Sequence, residues 1–351
     1  MRTAIFSTHA YDREALEAAN CAGSHVFEFL ECGLDERTAV SAKGAPAVCA
    51  FVNDRLDAPC LAALHAGGTR LVALRSTGYD HVDVEAAERI GLTVLRTPAY
   101  SPNSVAEHAI ALLLTLNRHT HVAAARARRY DFSLDGLVGF DLARKTVGVV
   151  GTGRIGAVAA RILLGFGCEV IAFDPEPSGR CRALGVRYVA LQELLERSHV
   201  VTMHCPLVPA TRHLMDAAAF ERMKPGAMLV NTSRGAVVDT EAAIAALRSG
   251  RLGGLAIDVY EGEGPLFFRD RSQEIPTDDV FARLVSFPNV LVTGHQGFLT
   301  REALAGIAEA TVGNLTDFER GEPRAEMMVA GSQCRCTPER RTPAAGAAGV
   351  R

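Results

Sequence analysis

The sequence predicts an α/β protein with two domains, each containing a parallel β-sheet. Short apolar, β-branched runs alternate with helical patterns along most of the chain, which is typical of βαβ units. The length of 351 residues suits about two domains of ~150 residues. The runs form two groups, each of which predicts one sheet: 2–6, 47–52, 70–74 and 92–95, then 146–150, 169–173, 199–203, 227–231, 254–258 and 290–293.

A long helix is expected between the two groups. Ser104 and Glu107 have the spacing of a capping box, and apolar residues follow at helical period. Segment 301–319 has the same period, and its pattern alone fits either domain. Residues 321–351 are rich in Pro, Gly, Ala and Arg without a sustained period, so we expect a flexible tail there.

Composition and charge exclude several classes of protein. A net charge of −3 provides no basic field for nucleic acid or anionic lipid, and no apolar run reaches the ~18 residues that span a bilayer. The nine cysteines are dispersed and contain no CxxC pair, which favours reduced thiols in the cytoplasm. Cys334 and Cys336 provide too few ligands for a metal centre, so no metal site is expected.

A glycine-rich loop follows the first run of the second group. Gly151, Gly153 and Gly156 form GxGxxG between a strand pattern and a helix pattern, as in Rossmann dinucleotide-binding folds. Asp174 ends the next apolar run, roughly 20 residues after Gly151, which is the spacing of the acid that binds the adenosine ribose. A carboxylate there favours NAD over NADP. The alternative is a plain tight turn, with Asp174 starting a loop before Pro175.

Three later runs end in residues suited to acid–base chemistry. Segments 231–235, 258–263 and 293–297 contain Arg234, several acids and His295. Because the carboxyl ends of parallel strands line the ligand crevice, these side chains are candidates to meet on one anionic substrate. By residue type alone, His204 rivals His295, and Glu261 is nearly equal to Glu263.

These motifs, together with segments 75–83, 97–102 and 204–207, resemble the D-2-hydroxyacid dehydrogenases over roughly residues 1–320. The resemblance implies two Rossmann-like domains, with the NAD domain inserted into a discontinuous substrate domain. The implied ranges are 1–100 plus 299–320 for the substrate domain, 101–298 for the NAD domain and 321–351 for the tail.

The resemblance also implies catalytic roles. Arg234 would bind the carboxylate and carbonyl of a small 2-keto or 2-hydroxy acid, Glu263 would orient and charge an imidazole, and His295 would be the acid/base. A guanidinium offers a planar fork to a carboxylate, and a carboxylate beside an imidazole favours its protonated form. The other predicted substrate contacts are the backbone amides of Thr77 and Gly78 and the side chains of Tyr100 and Phe298.

Further cofactor contacts follow from the same resemblance. Cys205 is expected to be a packing neighbour rather than a nucleophile, since no base is evident beside it. Besides the three glycines, the implied NAD contacts are Val105, Arg154, Ile155, Asp174, Cys205, Pro206, Thr211, Thr232, Ser233 and Asp258. Family precedent also implies a homodimer or homotetramer.

Substrate preference depends on finer features. Tyr100 and segments 264–270 and 279–281 resemble the D-lactate dehydrogenase branch, which implies fermentative pyruvate reduction. A larger keto acid such as phenylpyruvate remains an alternative, as does, from another class, an NADH-sensing corepressor. Gln296-Gly297 departs from the branch pattern, and we expect Gly297 to loosen the loop that contains Phe298.

Overall fold

The computed structural model describes residues 1–98 and 100–331 and divides into two compact units. Unit 1 comprises Met1–Pro98 and the chain from Ala308 onward, and unit 2 runs from Ala99 to Ile307. Each unit contains a mainly parallel sheet with helices, so the predicted fold class is confirmed. The first division, after Pro98, lies close to the expected boundary at residue 100. The second, after Ile307, differs from the expected boundary at residue 298 and lies inside helix α12 (Arg301–Glu319).

Unit 1 contains a six-stranded sheet in the order β13-β5-β4-β3-β1-β2. Its strands are β1 (Arg2–Ile5), β2 (Val26–Phe29), β3 (Ala47–Ala50), β4 (Leu71–Leu74), β5 (Thr93–Leu95) and β13 (Met328–Ala330). Its helices are α1 (Ala10–Ala19), α2 (Ala58–Ala66) and α3 (Val84–Arg89), with short 3₁₀ turns at Ala39–Ala42 and Ala325–Met327.

The sheet of unit 1 is covered on both faces, which explains its uninterrupted apolar strands. Every residue of β3 and β4 is buried, as expected for central parallel strands. Leu61 of α2 and Ala87 of α3 belong to one apolar cluster. Leu16 of α1 and Leu315 of α12 belong to clusters that contain the alternate strand residues. Segment 301–319 therefore supplies part of the core of unit 1.

The chain after Gly321 is ordered up to residue 331, so the prediction of a tail beginning there is wrong for this stretch. β13 pairs antiparallel with β5, and the Arg96 amide donates to the Met327 carbonyl at 2.8 Å. Ala330 is buried in the apolar cluster of α2 and α3. The remainder of the expected tail, including Cys334 and Cys336, lies outside the described residues.

Unit 2 contains a seven-stranded, all-parallel sheet in the order β12-β11-β10-β9-β6-β7-β8. Its strands are β6 (Thr146–Val150), β7 (Glu169–Phe173), β8 (Arg187–Tyr188), β9 (Val200–Met203), β10 (Ala227–Asn231), β11 (Leu252–Ile257) and β12 (Val290–Val292). Its helices are α4 (Pro102–Arg118), α5 (Thr120–Ala127), α6 (Arg154–Gly165), α7 (Gly179–Ala183), α8 (Leu191–Arg197), α9 (Ala217–Arg222), α10 (Thr240–Arg248) and α11 (Asp279–Val285).

Helices cover both faces of this sheet as well. One apolar cluster includes residues of α4 and α6, and the other includes residues of α8 to α11. Because all seven strands run in the same direction, their carboxyl ends share one edge of the sheet. The loops at that edge contain the candidate site residues of unit 2.

Helix α4 begins earlier than the capping-box pattern predicts. Ser101 is the N-cap, and its Oγ accepts a hydrogen bond from the Ser104 amide at 3.2 Å. Pro102 opens the helix, where its missing N–H costs nothing. Ser104 instead donates its hydroxyl to the Gly297 carbonyl at 2.7 Å, so the predicted Ser104–Glu107 capping box is wrong.

Two further observations concern helices and cysteines. Within the described ranges, no helix is both long and apolar enough to cross a membrane. The seven cysteines of this part of the chain are free thiols, and Cys21 and Cys32 are exposed.

Candidate active site

The glycine loop joins β6 to α6, and its three glycines meet different steric demands. Gly151 has a φ of +89°, which favours glycine. A Cβ at Gly156 would lie 2.0 Å from the Gly151 carbonyl oxygen, so no side chain fits there. At Gly153 a Cβ would have no neighbour within 4 Å, which leaves the backbone open to a ligand. Since α6 has no side-chain cap, its first amides are oriented toward this opening and suit phosphate.

Asp174 lies directly after β7, beside the glycine loop. Its Oδ2 accepts hydrogen bonds from the Thr152 amide at 2.6 Å and the Thr152 hydroxyl at 3.0 Å. Its Oδ1 accepts from the Glu176 amide at 2.9 Å. Both oxygens are thus held in fixed positions at the edge where a cofactor ribose would bind.

His295 and Glu263 form a close imidazole–carboxylate pair in unit 2. Nδ1 of His295 lies 2.8 Å from Oε1 of Glu263, and both side chains are largely buried. Oε2 of Glu263 accepts from the Tyr260 amide at 2.9 Å, which fixes the carboxylate in turn. This geometry leaves Nε2 as the ring nitrogen that faces away from Glu263.

The neighbouring acid Glu261 has different partners. Its Oε1 lies 3.0 Å from Nη2 of Arg212 and 2.8 Å from Nε2 of His213. Residue type alone left Glu261 and Glu263 nearly equal, and their contacts now separate them. The carboxylate beside His295 belongs to Glu263.

Asp258 organises the loop that contains His295. Its carboxylate, 2% exposed, accepts from the Gln296 and Gly297 amides at 2.8 Å and from the Thr293 hydroxyl at 2.5 Å. Hydrogen bonds from these groups and from His108 hold the pKa of Asp258 below its usual range despite burial, which acts to raise it. The expected loosening at Gly297 is wrong, because its amide and its carbonyl are both hydrogen-bonded.

His295 has a left-handed backbone, with φ of +56°, and its amide donates to the Asp258 carbonyl at 2.7 Å. Such a conformation costs a non-glycine residue roughly 1–2 kcal/mol, and the Asp258 contacts on either side of it maintain it. Thus Asp258, predicted as a cofactor contact, directs its carboxylate mainly to the protein.

Arg234 lies after β10, next to the strand that precedes Asp258. The side-chain Oδ1 of Asn231 accepts from the Ser233 amide at 3.0 Å, and its Nδ2 donates to the Arg234 carbonyl at 2.9 Å. Asn231 thereby shapes the turn that presents Arg234, a function that sequence reasoning missed. Burial raises the pKa of Tyr100, and the positive charge of Arg234 partly offsets this rise. The two predicted substrate contacts therefore interact electrostatically.

Phe268 is a second residue that sequence reasoning missed. Its ring lies 5.7 Å from the imidazole of His295, centroid to centroid, with a tilt of 39°. It has a φ of +62°, which is strained for an aromatic residue. The amides of Leu266 and Phe267 donate to the Glu263 carbonyl, so one short loop supplies both the carboxylate and the aromatic neighbour of His295. Phe298 is buried in the same unit.

The remaining predicted cofactor contacts of unit 2 differ in exposure. Val105, Cys205 and Thr232 are buried, and burial raises the pKa of Cys205 to about 11, which keeps the thiol neutral. The Thr232 hydroxyl has no hydrogen-bond partner among the described residues. The others are half-buried or exposed: Arg154, Ile155, Pro206, Thr211 and Ser233.

His204, the rival of His295, has a different environment. Burial lowers its pKa to about 4, so the ring is neutral at physiological pH. Its Nε2 lies 2.9 Å from the Thr202 hydroxyl, and its Cβ lies against Gly156. His204 therefore supports the glycine loop and has no adjacent carboxylate among these contacts.

Thr77 and Gly78 lie in unit 1, after β4. The Thr77 hydroxyl donates to the Thr97 carbonyl at 2.8 Å, and the Ser76 hydroxyl donates to the Gly78 carbonyl at 2.7 Å. These bonds hold the turn through side-chain hydroxyls and use neither the Thr77 amide nor the Gly78 amide.

The residues at the strand ends of unit 2 fit a dinucleotide. The loop provides space at Gly153 and amides for phosphate, Asp174 provides a fixed carboxylate, and the buried Thr232 hydroxyl needs a polar partner. Within residues 1–98 and 100–331, no group of three or more His, Cys, Asp or Glu side chains is arranged to hold a metal ion.

Comparison with known proteins agrees with this geometry. Residues 110–297 match the family model of the D-isomer specific 2-hydroxyacid dehydrogenase NAD-binding domain, so NAD is the cofactor. The chain is 50% identical to Escherichia coli D-lactate dehydrogenase over 92% of its length and 98% of that protein.

Solved structures show the same similarity. The apo structure of the E. coli enzyme has a TM-score of 0.85 and 47% identity, with 94% of this chain and all of that chain covered. D-Lactate dehydrogenase from Aquifex aeolicus, solved with NAD and lactic acid, has a TM-score of 0.84 and 31% identity over 94% of this chain and 99% of that chain. The chain therefore belongs to the D-isomer specific 2-hydroxyacid dehydrogenase family.

Proposed function

We propose that the protein interconverts pyruvate and D-lactate, with His295 as the acid/base. The observation that supports this most is the 2.8 Å contact between His295 Nδ1 and Glu263 Oε1 at the edge of the sheet that also contains the glycine loop. Two relatives described above are named D-lactate dehydrogenase, and this similarity supports pyruvate as the keto acid.

NADH, when bound on Gly151, Gly153, Gly156 and Asp174, supplies the hydride for carbonyl reduction. In that direction Nε2 of His295 donates a proton to the carbonyl oxygen. Glu263 accepts from Nδ1, so it fixes the ring orientation and balances the imidazolium charge. In the oxidative direction Nε2 takes the hydroxyl proton.

The other side chains bind and orient the substrate. Arg234 pairs its planar guanidinium with the substrate carboxylate and polarises the carbonyl. The Tyr100 hydroxyl is a second donor, since burial keeps it protonated. Phe298 limits the volume beside the substrate carbon chain. The family resemblance assigns the Thr77 and Gly78 amides to the same carboxylate, and we retain that assignment.

We expect pyruvate to give the highest kcat/KM in a panel with glyoxylate, hydroxypyruvate and phenylpyruvate, measured by NADH oxidation. The product should be oxidised by a D-specific but not an L-specific lactate dehydrogenase. A higher kcat/KM for phenylpyruvate would transfer the assignment to a larger keto acid. NADH binding without turnover of any of the four would favour a sensor that acts on partner proteins.

We also propose that the protein is a homo-oligomer that acts in the cytoplasm. The free, exposed thiols of Cys21 and Cys32 suit a reducing compartment. An arm after α5, residues 128–139, exposes large apolar side chains: Tyr130, Phe132, Leu134 and Val138, between 71% and 88% exposed. Arg126 fastens this arm by donating to the Asp135 carbonyl at 2.8 Å. Apolar side chains held out in this way suit a second copy of the chain.

Light scattering should therefore give a mass at least twice that of the 37.4 kDa chain. Replacing Phe132 and Leu134 together by Glu should reduce that mass to one chain, because a charge in an apolar interface is costly. The matched control replaces exposed Val285, which lies outside the arm, by Glu. An unchanged mass in the arm variant would place the interface elsewhere.

A further inference from the structure

Thr152, the second residue of the glycine loop, and Tyr188 of β8 form a chain of hydrogen bonds that ends on Asp174. The Ser178 amide donates to Tyr188 Oη at 2.9 Å. Tyr188 Oη lies 2.8 Å from Thr152 Oγ1, which lies 3.0 Å from Asp174 Oδ2. Thr152 is 4% exposed, so water does not readily replace these contacts. Neither Thr152 nor Tyr188 is among the residues that the motif or the resemblance assigns.

The two ends of this series of hydrogen bonds, the Ser178 amide and the Asp174 carboxylate, determine the direction of every bond in it. A carboxylate only accepts, so the Thr152 hydroxyl proton is directed at Asp174. Thr152 Oγ1 then accepts from Tyr188, and the Tyr188 oxygen accepts from the Ser178 amide. Burial raises the pKa of Tyr188, which keeps its proton in place for donation. Dipoles aligned in one direction strengthen one another at the carboxylate.

These hydrogen bonds give the two carboxylate oxygens of Asp174 different partners. Oδ2 accepts from the Thr152 amide and hydroxyl, whereas Oδ1 accepts from the Glu176 amide. We propose that Thr152 and Tyr188 are positioning residues that orient Asp174 so that Oδ1 binds the adenosine ribose hydroxyls. This inference rests on the proposed role of Asp174 and names the residues that make it effective.

The ring of Tyr188 adds a second contribution. The Arg182 guanidinium lies over it, 5.5 Å from the centroid, in a cation–π contact. Arg182 is a cation close to the Asp174 loop, of the kind that accommodates a 2′-phosphate in NADP-dependent relatives of this fold. While Arg182 is held on the ring, it offers less compensation to a 2′-phosphate. Tyr188 thus favours NAD through its hydroxyl and disfavours NADP through its ring.

Fluorescence titration of NADH and NADPH, without any keto acid, tests the inference. We expect Thr152→Val to raise the Kd for NADH about tenfold and Tyr188→Phe about threefold, as for a lost hydrogen bond to a charged group or to its supporting hydroxyl. Thr152→Ser, which keeps the hydroxyl, should stay within about twofold of the parent. Tyr188→Leu, which also releases Arg182, should bind NADPH more tightly than Tyr188→Phe does.

A double-variant cycle separates this chain of bonds from a general structural effect. Because Tyr188 acts through Thr152, adding Tyr188→Phe to Thr152→Val should cause no further loss of NADH affinity. Additive losses, or an unchanged Kd in both single variants, would overturn the inference. Thr277→Val, at an exposed position, is the matched control and should leave the Kd for NADH unchanged. If Thr152→Val does not fold, Tyr188→Phe and Tyr188→Leu decide the question, since a parental Kd for both cofactors in both variants overturns it.

The Asp174→Ala variant tests the proposed ribose contact separately from the positioning roles of Thr152 and Tyr188. It should raise the Kd for NADH and narrow the preference for NADH over NADPH. If it does so while the Thr152 and Tyr188 variants bind like the parent, only the positioning inference fails. If Asp174→Ala itself changes neither affinity, the proposed ribose contact fails with it, although the assignment of His295 stands.

Discussion

Replacing His295 by alanine should lower kcat for pyruvate reduction by about 10²- to 10⁴-fold while the Kd for NADH stays near the parental value. In the proposed mechanism the imidazole is the proton donor, Nδ1 contacts Glu263 at 2.8 Å, and alanine removes Nε2. The proposed NADH contacts, the glycine loop and Asp174, are left in place by the substitution. Steady-state kinetics with pyruvate and a separate NADH titration measure the two effects.

Two further variants define the size of this effect. His65→Ala in α2 removes a histidine from unit 1 and should leave kcat unchanged. Glu263→Gln keeps the shape of the partner but removes its charge, so kcat should fall about tenfold or more. A His295→Ala enzyme with normal kcat and weakened pyruvate binding would assign the residue to binding instead of proton transfer.

Replacing Arg75 by methionine should lower the free energy of unfolding by about 3–5 kcal/mol. Its guanidinium is fully buried in unit 1, donates to the Phe6 and Ser7 carbonyls at 2.9 and 3.1 Å, and lies 3.6 Å from the Asp12 carboxylate. Asp54, 2% exposed, adds a second buried carboxylate to this network. Without Arg75, both acids lose their cation and two carbonyls lose a donor.

Urea unfolding followed by circular dichroism measures this loss. Arg70→Met is the matched control, because the exposed Arg70 guanidinium donates to the His65 and Thr69 carbonyls at the surface, and we expect a change within about 0.5 kcal/mol. The proposed substrate contacts Thr77 and Gly78 lie two and three residues after Arg75, so a partly folded variant should also bind substrate poorly. Equal stability of Arg75→Met and the parent would mean that apolar packing fully replaces the buried network.

The central strands were predictable because burial on both faces produces continuous apolar runs. The predicted ranges 146–150, 169–173 and 227–231 match β6, β7 and β10, and the predicted helix 301–319 matches α12. The structure adds three strands that the sequence did not indicate: β2, β8 and β13. β2 is an edge strand with Val26 67% exposed, and β8 has only two residues. β13 depends on β5, a pairing partner far away in the chain.

The candidate site shows the same limit at the level of single side chains. Residue types and strand ends directed attention to Arg234, Glu263 and His295, and the sheet order places their three strands side by side. What the sequence did not reveal are the groups that orient them. Phe268 reaches His295 through a left-handed backbone conformation that no pattern of residue types indicates for phenylalanine.

The antiparallel pairing of β13 has a consequence for any shortened form of this protein. Ending the chain at Gly321 would leave β5 paired with β4 alone and would expose a row of backbone donors and acceptors along its other edge. Shortened molecules would associate through this edge of β5, and they would also lose Met327 and Ala330 from the apolar clusters of unit 1. A domain fused after Gly331 would leave β13 paired with β5.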